Sequence, residues 1–565
     1  MPLSRRSLSS MPWNIIQTTI NCIMRGDQLG HSAVKLEHIR FTNSCAPLLG
    51  ISRSWRAMAL KTLCREYSIC LDSESDRTTT EFTLWPTPMK HDHSGFYCLV
   101  NEIAISTTSK NVFNGKAAKQ LGSLKCADES FNSAKVLKVM LNDCLNDELS
   151  DVPVATSHVK GFVALVKRLM PRVTTVKIEY EGEAEDQESV SCRAFERLLS
   201  GLYSGSDTRE LTLVNCGLLL PAVSNTMLNL TKIETIWDTT FDETIELIRL
   251  NAATLKTLEI ACAQPTKLVK LLESRSGSNG SDYLTYPNMH TLHLSSGNIT
   301  RYKCKPFNRE YIPFPRLEQL SLDLVYPFSD DVLFRGNTKT LKYLHMAADP
   351  TTINLLNNYH TFEREKLKRL RHVKVDVSYV NGISDVTTAE LVVGFVMKLA
   401  HRAQTLEIEG QIPKDALLSA ISLSDHCKDL QLLVVNDLCL SLSEILTVIE
   451  AAPALSDLYC RSLGIGDDLK HLSMDQLVDH LELKYKYVGK NFKCWKLWHS
   501  QNTIVESAAT CAMLLACICP KFTYNVVTSS VRAKYNNSII KMLDTLPFSK
   551  HKVDLERLLF VGWDE

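Results

Sequence analysis

The sequence predicts an α/β solenoid, with parallel strands on one face, helices on the other, and a small all-α module ahead of them. Three observations carry this. An apolar triplet spaced L-x-x-L-x-L recurs along most of the chain. The stretches between triplets hold apolar residues at helical period. Residues 1–75 read as helices with a different signature.

The clearest triplets are Leu255/Leu258/Ile260, Met289/Leu292/Leu294, Leu317/Leu320/Leu322, Leu341/Leu344/Met346, Leu370/Val373/Val375 and Leu430/Leu433/Val435. Alternation at the end of each suits a short strand with one buried face. A strand and a helix repeated in this way are the signature of a leucine-rich-repeat solenoid, a horseshoe whose strands line the concave side. Weaker members are Val173/Val176/Ile178, Thr208/Leu211/Leu213, Ala403/Leu406/Ile408, Leu455/Leu458/Cys460 and Val478/Leu481/Leu483. Outlying ones are Val100/Ile103/Ile105, Val136/Val139/Leu141, Cys519/Phe522/Tyr524 and Leu555/Leu558/Phe560. Intervals run from roughly 22 to 41 residues against the usual 20–29, so the array is irregular and interrupted by loops. The Asn/Cys that usually follows the strand falls at Cys144 and Cys216.

Helices are expected over residues 242–253, 388–403 and 442–452. Thr387-x-x-Glu390 reads as a capping box for the second, and Pro453 stops the third. Three insertions stand out: acidic residues 181–191 (EGEAEDQESVS), Gly/Ser-rich 274–287 (SRSGSNGSDYLTYP), and basic, aromatic 301–316 (RYKCKPFNREYIPFPR). Loops on a rigid scaffold are where function often sits, although solvated surface is the commoner role.

Ahead of the repeats, Met11-Pro12-Trp13-Asn14-Ile15-Ile16 opens a proline-led helix, and Ile20 and Ile23 continue its apolar stripe. Later comes Pro47-Leu48-Leu49-Gly50-Ile51-Ser52-Arg53-Ser54-Trp55-Arg56, followed by the tail KTLCREYSICL over residues 61–71. These residues resemble a divergent, fungal-type F-box. Trp13-Asn14 stands where the family usually has an acidic residue, and the interval 25–45 is long for it. The resemblance implies a module over residues 1–75, a linker over 76–95 and the solenoid over 96–565. It further implies docking of Pro12, Ile15, Ile16, Ile20, Leu48 and Trp55 on a Skp-type adaptor and its cullin scaffold. The chain would then be the substrate-recognition subunit of an SCF-type ubiquitin ligase. The alternative is a non-catalytic binding scaffold whose first residues only cap the exposed end of the repeats.

Strand residues between the buried positions should face the concave side. Trp237, Glu259, His293, Asp323, Tyr343, His345, Lys374, Glu407 and Tyr459 are the expected contacts for a protein partner. Aromatic groups among mixed charges suit a protein interface. The identity of the protein held there is not legible in the sequence.

Composition narrows the class. Lys+Arg and Asp+Glu both number 63, so the formal net charge is zero, without the basic excess of a general nucleic-acid or membrane-surface binder. The 18 cysteines are scattered with no C-x-x-C pair, which suits free thiols in the cytoplasm or nucleus. The longest apolar run, residues 507–519, is too short to cross a bilayer. The Arg- and Ser-rich start shares its composition with mitochondrial presequences, but the F-box resemblance covers the same stretch. Neither a phosphate loop nor G-x-S-x-G nor H-E-x-x-H occurs. His91-Asp92-His93 and Cys517-x-Cys519 lack further ligands, so no metal, cofactor or catalytic residue is expected.

Overall fold

Among the described residues, most strands begin in the same way. The carbonyl just after the first apolar residue of one repeat accepts two successive N–H groups of the next. Lys135 and Val136 donate to Asn101 O (2.8 and 3.0 Å), Lys342 and Tyr343 to Glu318 O (2.8 and 3.1 Å), and Arg371 and His372 to Lys342 O (2.8 and 3.0 Å). Backbone groups leaving a turn need partners, and this shared acceptor supplies them as each strand joins its neighbour.

A computed structural model gives the architecture for parts of residues 56–526. The residues before and after that span lie outside the description, as do 83–93, 142–155, 181–197, 215–228, 274–282, 296–306, 324–330, 358–366, 378–385, 481–490, 498–513 and some shorter breaks. The chain forms two units that divide at Met289/His290.

In the first unit β1 (Glu66–Leu71), β3 (Glu102–Thr107), β4 (Val136–Leu141), β5 (Thr175–Tyr180), β6 (Glu210–Val214), β7 (Lys232–Asp238) and β8 (Thr257–Cys262) pair in parallel, each with the next. β2 (Thr78–Phe82) pairs antiparallel with β1 and covers its outer edge. In the second unit β9 (Thr291–Ser295), β10 (Gln319–Asp323), β11 (Tyr343–Ala347), β12 (His372–Asp376), β13 (Thr405–Glu409), β14 (Leu432–Ser441), β15 (Asp457–Gly464), β16 (Cys494–Leu497) and β17 (Thr523–Val526) form a second parallel ladder in chain order. Each unit is thus an α/β solenoid of the leucine-rich-repeat kind.

Middle positions of the triplets meet in register. Leu292, Leu320, Leu344, Val373, Leu406, Leu433 and Leu458 are paired neighbours, and none is more than 1 % exposed. Each side chain is therefore removed from water by the repeats on either side, which a single repeat could not achieve alone. Fully burying a Leu or Val in this way is worth about 1.5–3 kcal/mol.

Two of the weaker triplets need correction. Ile103 pairs with Leu137, so the fourth strand's set is Ala134/Leu137/Val139, two residues from the expected Val136/Val139/Leu141. Tyr524 pairs with Trp495 and takes the middle place rather than the last. Val478, Leu481 and Leu483 lie outside the described residues, although β15 and β16 pair directly in the ladder. Leu555/Leu558/Phe560 and the Asn/Cys positions Cys144 and Cys216 lie outside the described residues.

The helices are α1 (Ser109–Phe113), α2 (Lys116–Gly122), α3 (Thr156–Leu169) and α4 (Phe241–Leu250) in the first unit, and α5 (Pro350–Asn357), α6 (Val386–Ala400), α7 (Lys414–Leu423) and α8 (Leu442–Ala451) in the second. α5 packs on α6, α6 on α7 and α7 on α8. α6 already begins at Val386, so Thr387 lies inside its first turn. The capping box belongs instead to α8. There the Ser441 hydroxyl accepts from Glu444 N (3.3 Å), and Ser441 N donates to the Glu444 carboxylate (2.6 Å). α6 ends two residues before Arg402, whose φ of 69° is the left-handed turn that breaks a helix and aims the chain into β13.

The sheet starts at Glu66, ahead of the expected boundary at residue 96. Cys64, Tyr67 and Ile69 are buried, and Tyr67 pairs with Ile103 and Ile69 with Ile105. They form a repeat triplet in which Cys and Tyr replace leucine. Tyr67 stacks edge-on to Phe82 (5.1 Å) and Tyr97 (5.5 Å) and lies 5.3 Å from Phe131.

Candidate functional site: the exposed face of the sheet

Period-2 alternation that buries the leucines turns the residues between them outward. Three rows result in the second unit. The middle row reads His293, Ser321, His345, Lys374, Glu407, Val434 and Tyr459 along β9 to β15. The row before it includes Gln319, Tyr343, His372 and Thr405, and the row after it Ser295, Asp323, Ala347, Asp376 and Glu409.

Seven of the nine expected contact residues therefore share this face: His293, Asp323, Tyr343, His345, Lys374, Glu407 and Tyr459, all half-buried. Glu259 belongs to the middle row of the first unit, opposite Glu234. Trp237 is on β7 within the register irregularity between Thr235 and Asp238, and its side chain lies outside the description. Sequence reading passed over Ser321, Asp376 and Glu409, although each was one fixed step from a triplet it had identified. Lys138 and Lys177 were hidden by the two-residue slip at β4 and by the weakness of the β5 signal.

Adjacent strands are linked across the face by their own side chains. Lys374 Nζ lies 2.8 Å from Glu409 Oε1. Burial works against the Lys374 charge, but its hydrogen bond to Glu409 and the carboxylates of Glu409 and Glu407 outweigh it and raise its pKa. Ser321 Oγ and His345 Nδ1 are hydrogen-bonded at 2.8 Å. Burial, then the charges of Lys374 and His293, push His345 down to about 4. Burial and the nearby Asp376 raise Asp323, against the pull of His293 and Lys374. Tyr343 is also raised, by burial and by Glu407 and Glu409, and its ring lies 6.4 Å from that of His372.

The first unit repeats the theme. Lys138 of β4 pairs with Glu179 of β5 at 2.6 Å, and Lys232 lies 2.9 Å from Glu234 on its own strand and 3.9 Å from Glu259 on β8. Thr212 donates to Glu234 (3.2 Å), and Thr175 to Glu210 (3.1 Å).

His345 supplies a test of this geometry. Folded, it takes up a proton less readily than an ordinary histidine, at about 4 against 6.5. Its contribution to stability is therefore full above pH 6.5 and is lost as pH falls through the window from 6.5 toward 4. The melting temperature should drop across that window, and His345→Gln should flatten the drop. Equal slopes for the two proteins would show that His345 is not held as described.

The basic, aromatic insertion is less open than its composition suggests. Of its described part, Phe307, Tyr311 and Phe314 are buried, and Arg335 Nη1 donates to Asn308 O (2.6 Å). Gly336, at φ 76°, lies under Ile312, and a Cβ there would come within 2.5 Å of Ile312 Cγ2. Of the Gly/Ser-rich insertion, Tyr286 is buried and donates to Leu271 O (2.9 Å). The acidic insertion 181–191 lies outside the described residues, as do His91-Asp92-His93, Cys517 and the adaptor-binding set Pro12, Ile15, Ile16, Ile20, Leu48 and Trp55.

Among the described residues no group of three or more His, Cys, Asp or Glu is placed to hold a metal ion. Burial drives the Cys64 and Cys519 thiols up to about 12, which leaves them poor nucleophiles. Among the described residues, no helix is long and apolar enough to cross a membrane. What the face offers is recognition: aromatic rings, hydrogen-bonding groups and charges of both signs on rigid strands.

No family model matches the chain, and no curated protein matches it significantly in sequence. Among solved structures it is similar to a chain of the yeast Rad7–Elc1 complex, with 12 % identity over 75 % of this chain and 85 % of that one and a TM-score of 0.29. It is also similar to the leucine-rich-repeat-containing protein LegL7 from Legionella pneumophila, with 10 % identity over 80 % of this chain and 98 % of that one and a TM-score of 0.25. Likenesses at these scores carry no argument about partners or activity.

Proposed function

We propose that this chain is a non-catalytic receptor that holds a protein partner on the exposed face of its second unit. The observation that carries the reading is the three-row face over β9 to β15, where Tyr343, His345, Lys374, Glu407 and Tyr459 stand half-buried on a fixed backbone. Aromatic groups backed by rigid strands lose little entropy on binding. The F-box resemblance extends the reading to a substrate-recognition subunit of an SCF-type ubiquitin ligase. In that role the chain supplies no reacting group. Tethering a target beside the ubiquitin-carrying enzyme raises the effective concentration of one for the other.

A scaffold without a ligase link is the second reading. One observation favours it: β1 joins the repeat register inside the segment expected to be a separate module, as the start of a capped solenoid would. Affinity purification of the full chain separates the two. On the ligase reading, adaptor and cullin co-purify with it and are lost with Ile15→Ala plus Ile16→Ala, while the melting temperature of the solenoid is unchanged. If neither co-purifies with the unmutated chain, the scaffold reading replaces it. Tyr343→Ala plus Lys374→Ala should release the held partner in either case, and retention of every partner by that variant would overturn the face itself.

A further inference from the structure

A formal net charge of zero conceals a separation of charge along the strands of the second unit. The segments that lead into β11, β12, β13 and β14 are 339–342 (KTLK), 368–371 (KRLR), 401–404 (HRAQ) and 428–431 (KDLQ). Together they hold seven Lys or Arg and one Asp. The exposed rows of the same four strands, β11 to β14, show the reverse, with Asp376, Glu407 and Glu409 against Lys374. Basic groups thus gather at the rim where strands begin, and acidic groups toward the end where they finish. Arg371, just ahead of β12, and Asp376, at its end, are separated by about 17 Å at roughly 3.3 Å per residue.

Fold geometry builds this rim. The fourth residue of each segment commits its backbone N–H and C=O to the shared-carbonyl ladder, and the third is the buried first apolar residue of its triplet. The remaining side chains turn outward, and Lys342, Lys368, Arg369, Arg402 and Lys428 are exposed. Neighbouring segments act on the same groups. Glu318 accepts from Lys342 at 2.8 Å and is held below its usual range by that bond first, with His290 and Arg369 adding to it. Arg371 Nη1 donates to Arg402 O (3.3 Å), tying one segment to the next. The first unit has exposed cations at the same place in its repeats, at Lys135, Arg209 and Lys256.

We infer that this rim binds an acidic polypeptide segment running across successive strands. The inference rests on the protein-binding reading above and names the chemistry of the partner. Four strands at about 4.8 Å spacing span about 14 Å, the length of some four to five extended residues. A run of Asp and Glu of that length matches the rim in reach and in sign. Nucleic acid suits it less well. None of the four segments contains Phe, Tyr or Trp on which single-stranded bases could stack. A duplex has grooves about 12 and about 6 Å wide, so on so narrow a strip it would carry phosphates over the carboxylates of the face.

Fluorescence anisotropy of the full chain at low salt tests this, using a labelled twelve-residue Glu/Asp peptide, its Gln/Asn counterpart and a duplex DNA. The acidic peptide should bind, the uncharged one should not, and binding should weaken as salt rises. Lys368→Glu with Arg369→Glu should weaken it by about tenfold or more, whereas Lys119→Glu with Lys160→Glu, an equal change of charge on the α2 and α3 helices, should leave it within about twofold. If the first pair lowers the melting temperature, Lys368→Gln with Arg369→Gln should give the same loss on a folded chain. Failure of the peptide to bind, equal binding by the rim variant, or duplex binding as tight as peptide binding would each overturn the inference. The two readings fail apart, because partner capture that needs Tyr343 and Lys374 but not the rim would leave the face standing.

Discussion

Replacing Leu320 with alanine is expected to destabilise the second unit by about 2–5 kcal/mol. Leu320 is fully buried and lies in register between Leu292 and Leu344, so both adjacent repeats lose contact when its side chain is shortened. The cavity would not collapse easily, because the flanking strands are fixed by hydrogen bonds on either side. Repeat proteins draw much of their stability from the interfaces between neighbours, so the loss should spread beyond one strand. Denaturant melting measures it. A change below about half a kcal/mol would mean that the side chain does not occupy this position.

The expected ladder position of Leu320 came from sequence alone, and the reason is physical. Where leucine, valine or methionine fills all three places, the pattern stands out from the chain around it, and all six of the clearest triplets are buried strands. Legibility falls where another residue satisfies the same packing. Thr235 is 1 % exposed and completes a triplet with Leu230 and Ile233 that hydrophobic spacing passes over. Val136, itself apolar but facing outward, drew the β4 assignment two residues along the chain, and the period of 2 made the mistaken version look equally regular. The exposed face was legible only in part. His293, His345, Lys374 and Glu407 follow directly once neighbouring triplets are placed, but the pairing of Lys374 with Glu409 and of Ser321 with His345 depends on which strands lie side by side. The basic rim was present in KTLK, KRLR and HRAQ but invisible to a sum over the whole chain, because carboxylates elsewhere in the chain balance it.

Tyr67→Ala should cost about 3–5 kcal/mol, the range for removing a large aromatic core side chain, and the loss should appear in the first unit. Tyr67 is 1 % exposed and touches Phe82, Tyr97 and Phe131, which come from β2, from the turn before β3 and from the approach to β4. Tyr97 and Phe131 also pack on each other at 4.7 Å, so one ring joins three successive segments of the solenoid. If residues 1–75 fold as a module with a separate core, truncating Tyr67 would disturb that module and leave the strands beyond it intact. The packing requires the opposite, since β1 carries the first triplet of the repeat register and β2 shields its edge. Hydrogen exchange resolved along the chain distinguishes these outcomes. Amides of β3 and β4 should lose protection in Tyr67→Ala, while those of β10 and β11 keep it. Unchanged protection at residues 102–107 and 136–141 would place the start of the solenoid core after β1. The segments that resemble an F-box would then be free to act as an independent module, with Tyr67 belonging to them.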